Sequence, residues 1–260
     1  MKLHVLVILV WVLFSCCKVQ EPTQGKDGFD HLNSLSEQFL EDIKAGNDTK
    51  RIQEQLAKLR VEELEGALQT DAQKLAFWIN IYNAFILVIL NEHPEYYEDK
   101  SEFFAKEQLV IAGEKIAFAK IEHGIIRKSQ WDKGFGYVRT WFPNSFERRL
   151  RVEQPDYRIH FALNCGAKDC PPVAIYTPER LQEQLKKGTQ LFLKRSSKYD
   201  PDKKEVTVTA LFNWFRGDFG GKRGIKKILQ EHHIIPDDTK INLTYENYDW
   251  TLELDNFISL

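Results

Sequence analysis

Residues 72–91 read AQKLAFWINIYNAFILVILN. Apolar residues cover nearly every face of this run at helical spacing, so it predicts a helix buried on most sides. Asp71 stands where an N-cap belongs. His93-Pro94 ends the run, because the residue before a proline disfavours helical geometry. Other elements must pack around such a helix. Asn80 and Asn83 lie three apart on one of its faces. An amide on an apolar stripe must find partners or cost about 1–3 kcal/mol. Each therefore bonds loop backbone or orients a catalytic group.

Upstream, Phe29, Leu32, Leu35, Phe39, Leu40 and Ile43 recur at three- and four-residue steps and end at Ala45-Gly46, a helical pattern with its stop signal. A second helix starts at Asp48 or Thr49 and carries Ile52, Leu56 and Leu59, and a short one follows over 62–68. Downstream, residues 108–118 predict a hairpin turning at Ala112-Gly113, and 120–128 a short helix. The stretch 130–156 is irregular but rich in aromatics, which predicts a loop packed onto the body. Residues 157–163 read as a buried strand. Thr177-Pro178 opens a helix with proline at its first position. A hairpin around Asp200-Pro201-Asp202, two short helices over 211–219 and 222–232, and a strand over 240–245 complete the chain. Helices and strands are interspersed without regular βαβ alternation. The expected fold is a single α+β domain over 29–260, with several helices around a small, mostly antiparallel sheet.

Composition is that of a folded domain. In 260 residues, 17 Phe, 9 Tyr and 6 Trp supply enough apolar surface to form a core, and 36 basic against 38 acidic residues leave a net charge of −2. No basic excess points to nucleic acid.

The first residues read as an export signal. Lys2 precedes an uncharged apolar run, residues 3–14, too short to span a bilayer. Leu13-Phe14-Ser15-Cys16 resembles the bacterial lipobox, in which cleavage precedes the lipidated cysteine. The expectation is a lipoprotein signal peptide over 1–15, a lipid such as palmitate on Cys16, and a linker over 16–28. A plain cleaved signal is the alternative. No second uninterrupted apolar run of 18 residues follows. The mature chain is thus expected on the extracytoplasmic side, in the periplasm or at the cell surface, with the membrane as partner through its anchor.

Chemistry-bearing residues fall in three places: Asn80 and Asn83; His123 in IEHGIIR, 121–127; and Cys165 and Cys170 in RIHFALNCGAKDCPP, 158–172. His123 and Arg127, four apart, share a helix face, with Glu122 directed elsewhere. These segments, together with WFRGDF at 214–219 and YDWTLE at 248–253, resemble the domain-of-unknown-function family 547 of bacteria and plants. The resemblance implies a fold and candidate residues but no reaction.

Three readings of the cysteine loop stay open. A structural disulfide between Cys165 and Cys170 suits an oxidising compartment. Thiol catalysis would use Cys165 as nucleophile, His123 as base and Asn80 or Asn83 to orient the ring, a set sufficient for acyl transfer or amide hydrolysis. A metal site from both cysteines with His123 or His160 fits worst, because the spacing is wider than a zinc knuckle. No metal or cofactor is therefore called for. The non-enzymatic alternative is an envelope binding module. In it, Trp214, Arg216, Tyr245, Tyr248 and Trp250 line a groove for a small molecule, glycan or peptide. The basic stretch 222–227 reads as a solvated helix face.

Overall fold

Thr70, one residue before the expected Asp71, caps the central helix. Its hydroxyl accepts from the Gln73 N–H, and Gln73 reaches back to the Thr70 N–H, a reciprocal box that satisfies two orphan donors. The computed structural model describes residues 31–237 and 240–260. The signal run, Cys16 and the 16–28 linker lie outside these residues.

In chain order, α1 is His31–Ala45, α2 Lys50–Lys58, α3 Val61–Ala67 and α4 Asp71–Glu92. Helix α5 is Lys100–Ala105, and β1 (Leu109–Ile111) pairs antiparallel with β2 (Glu114–Ile116) across Ala112-Gly113. A π-helix covers Lys120–Ile126, α6 is Ser145–Leu150, and Tyr157–Phe161 forms a 3-10 helix. Then come α7 (Leu181–Ser196), β3 (Lys198–Asp200), β4 (Glu205–Val208), α8 (Leu211–Trp214), α9 (Gly221–Glu231) and β5 (Asn242–Tyr245). The result is one α+β domain with two small sheets. The second sheet runs β3-β4-β5, antiparallel between β3 and β4 and parallel between β4 and β5.

Helix α4 is the core. Its residues from Lys74 to Leu87 are all buried, and α1 packs along it. By length and composition α4 is apolar enough to cross a membrane, but 78% of its most apolar window is buried inside the protein. Burial of that kind marks the central helix of a globular fold. Phe39 and Phe85 meet edge to face at 5.2 Å, Tyr82 and Phe118 at 5.3 Å, geometries the ring quadrupoles favour. A second cluster joins Phe161, Phe192 and Phe212 to the β3-β4-β5 sheet.

Four expectations are corrected. Residues 157–161 form a 3-10 helix instead of a strand. Asp156 caps it through the Arg158 N–H, and its end leads directly into the cysteine loop. Helix α7 begins at Leu181, three residues beyond Pro178. The 130–156 stretch contains α6, capped by the Asn144 side chain on the Glu147 N–H. Its aromatics are also less packed than expected: Trp141 is 85% and Phe142 89% exposed. What pins that stretch is backbone contact. At Gly217, a Cβ would lie 2.4 Å from the Gly136 carbonyl carbon; at Gly136, itself at φ +83°, it would lie 2.3 Å from Asp218 Oδ1. No residue with a side chain fits at either position.

Candidate functional site

Cys165 and Cys170 are joined by a disulfide, with Cα atoms 6.1 Å apart. Asn164 ties their loop together: its amide donates to the Pro171 carbonyl at 2.8 Å, and its Oδ1 accepts from the Gly166 N–H at 2.8 Å. Cys170 is fully buried. Cys165 lines a cavity of about 210 Å³, and so does His123.

The walls of this cavity come from widely separated parts of the chain. Tyr82 projects from α4, Glu122 and His123 from the π-helix, and His160 from the 3-10 helix. Trp214 and Phe215 come from the end of α8, and Tyr248 and Trp250 from the stretch after β5. Trp214 stacks on Trp250 with centroids 5.5 Å apart, and Tyr248 lies 4.8 Å from Trp250 and 5.0 Å from Trp214. Of the five groove residues expected from sequence, Trp214, Tyr248 and Trp250 meet in the cavity. Tyr245 packs in the second core cluster, and the Arg216 guanidinium lies over the Phe135 ring at 4.9 Å.

A buried polar chain lies behind the wall. The Arg127 Nη1 donates to His123 Nδ1 at 2.6 Å, and its Nε donates to Asp218 Oδ2 at 2.6 Å. The same carboxylate oxygen accepts from His160 Nε2 at 2.8 Å. Arginine cannot accept, so His123 carries its proton on Nε2. Phe215 stacks on His160 at 4.0 Å and lies 4.7 Å from the Arg127 guanidinium, a seal over these two nearly fully buried groups.

The electrostatics follow from that seal. Burial lowers the His123 pKa below the ordinary histidine value; Glu122 opposes the shift and Arg127 adds to it. Burial also lowers that of His160, against the bond to Asp218. The Arg127 charge adds to the downward shift. For Asp218, burial acts upward, but the bonds from His160 and Arg127 outweigh it and hold the carboxyl down at about 2. Burial, with the Glu122 carboxylate beside it, raises the Tyr82 phenol well above its usual range.

Asn80 and Asn83 do other work. Asn80 donates to Ser36 Oγ at 3.2 Å and the Tyr176 carbonyl at 2.8 Å, and accepts from the Tyr176 N–H at 2.9 Å. Asn83 donates to the Ala162 carbonyl at 3.0 Å and accepts from the Asn164 N–H at 2.8 Å. Both amides therefore anchor loop backbone to α4. Glu122, expected to point elsewhere, lines the cavity beside His123, since i→i+5 winding adds a residue to each turn and moves neighbours toward one face. Sequence reasoning missed the roles of Arg127 and Asp218. The signal was available in an acid set among aromatics in WFRGDF. Among the described residues, no group of three or more His, Cys, Asp or Glu is placed to hold a metal ion.

Fold and site define a single-domain α+β protein with an aromatic cavity beside a disulfide-closed loop. Residues 67–193 match the family described as "Protein of unknown function, DUF547", and the chain is similar to that family over this stretch. The match includes α4, the π-helix and the cysteine loop, while the 214–219 and 248–253 segments that complete the cavity lie beyond it. No curated protein and no solved structure matches the chain.

Proposed function

We propose that this chain is a membrane-anchored binding protein of the cell envelope. In this reading, the cavity takes a small molecule, glycan unit or peptide side chain with one flat apolar face and one hydrogen-bonding group. One observation carries it: Trp214, Tyr248 and Trp250 line the same cavity as Glu122 and His123. The rings offer an apolar platform. Glu122 offers an acceptor and His123 Nε2–H a donor, the small set of polar groups that orients a ligand in an otherwise apolar pocket. The anchor at Cys16 and export rest on the sequence of residues 1–16 alone. Calorimetric titration with monosaccharides, short oligosaccharides and aromatic dipeptides tests the reading. A saturable heat with one class, lost in Trp250→Ala, is expected. No heat from any of them, with the protein folded, would remove it.

A second reading is cysteine-dependent acyl transfer or amide hydrolysis at Cys165, supported by its sharing the cavity with His123. It requires reduction of the bridge and a His123 free of Arg127. Asn80 and Asn83 bond backbone, which leaves the ring without the expected amide. After reduction, iodoacetamide should label Cys165 quickly at neutral pH and slowly in His123→Ala. Equal rates in the two proteins would end this reading.

A further inference from the structure

The two sulfurs of the bridge stand in unlike surroundings. Cys165 lines the cavity, whereas Cys170 is fully buried. Cys170 Sγ accepts from the Cys165 N–H at 3.0 Å and from the Tyr248 hydroxyl at 3.3 Å, while the same hydroxyl stands 3.8 Å from Cys165 Sγ. The Arg195 guanidinium donates to the Cys170 carbonyl at 3.0 Å, which holds a positive charge beside that residue. Thiol–disulfide exchange runs fastest when the attacked sulfur is accessible and the departing sulfur is stabilised as a thiolate. The Cys165 N–H and the Tyr248 hydroxyl, both aimed at Cys170 Sγ, supply that stabilisation.

We propose that the Cys165–Cys170 bridge is a thiol-exchange site that oxidises small-molecule thiols entering the cavity. The thiol releases its proton to solvent, and its thiolate attacks Cys165 Sγ. The new S–S bond joins the small molecule to Cys165, and the electron pair of the old bond leaves on Cys170, held by the Cys165 N–H and Tyr248. A second thiolate then attacks the outer sulfur of the mixed disulfide. This releases a symmetrical organic disulfide and leaves Cys165 as a thiolate. Two thiols lose two electrons and the bridge gains two. The cavity suits a thiol of a few heavy atoms, with Glu122 in the wall to receive a cationic end. The proposal uses the cavity but needs none of the ligands tested above, so the two can fail separately.

The test uses the oxidised protein and cysteamine as probe. The protein is incubated with the thiol, quenched with iodoacetamide and read by peptide mass spectrometry. The cysteamine adduct is expected on Cys165, with carbamidomethyl on Cys170. Tyr248→Phe keeps the ring and should slow adduct formation about tenfold with an unchanged melting temperature. An adduct on Cys170 would overturn the proposal. So would a bridge that opens no faster than the protein unfolds, or a Tyr248→Phe rate equal to that of the parent.

Discussion

Arg127 donates to His123 Nδ1 at 2.6 Å from inside the core, with the arginine side chain only 2% exposed. Its other bond, to Asp218, sets a full positive charge between a largely buried carboxylate and two neutral rings. Removing it strands Asp218. Arg127→Met should cost about 3–5 kcal/mol in urea unfolding, because an unpaired buried charge remains. Adding Asp218→Asn should return a large part of that loss. A double variant as unstable as the sum of the two singles would show that the residues do not act as a pair.

Stability should also fall in mild acid. His123 and His160 have pKa values lowered by burial, so the unfolded chain binds protons that the folded one does not. Their contribution is present above the ordinary histidine value of 6.5 and is lost as pH falls below it. Asp218, held at about 2 against an ordinary 3.8, adds stability that disappears only in stronger acid. Unfolding free energy measured from about pH 7 to about pH 5 should therefore decline, and His123→Gln should flatten the decline. A steeper slope in the variant would contradict the neutral ring.

The centre of α4 admits no charge. Ala84 is fully buried between Asn83 and Phe85. Ala84→Asp should lower stability by about 3 kcal/mol or more, since no partner awaits the carboxylate. A melting temperature within error of the parent would refute that placement.

Anchoring is testable without the structure. Cys16→Ala should release the protein from membranes or stall its processing, read by fractionation and by labelled fatty acid. Label retained on the variant, with Cys17 also replaced, would refute lipidation at Cys16.

The helix over 72–91 and both hairpins were legible because their signals are local: periodic burial, a Pro stop, and turns at Ala112-Gly113 and Asp200-Pro201. The segment 157–161 was misread because a run of Tyr, Ile and Phe packs as well in a tight helix as in a strand. Its Asp156 cap, the deciding feature, is a single residue. The cavity rings were legible as types but not as neighbours. Tyr248 and Cys165 are 83 positions apart and meet only because the chain returns after β5. The Arg127–Asp218 bond spans 91 positions, and no local pattern encodes such a distance. Asn80 and Asn83 were correctly singled out as amides in need of partners. Which partners was decided by the 3-10 helix end and the loop at Tyr176 that fold against α4.

Gly136 touches Asp218 so closely that even a methyl group would collide with the carboxylate. Two regions that differ in every other respect are thereby geared together: an exposed loop bearing Trp141 and Phe142, and the charged strut behind the cavity. Hard contact of this kind transmits displacement instead of absorbing it. A side chain at position 136 would have to displace Asp218, and with it the oxygen that His160 and Arg127 share.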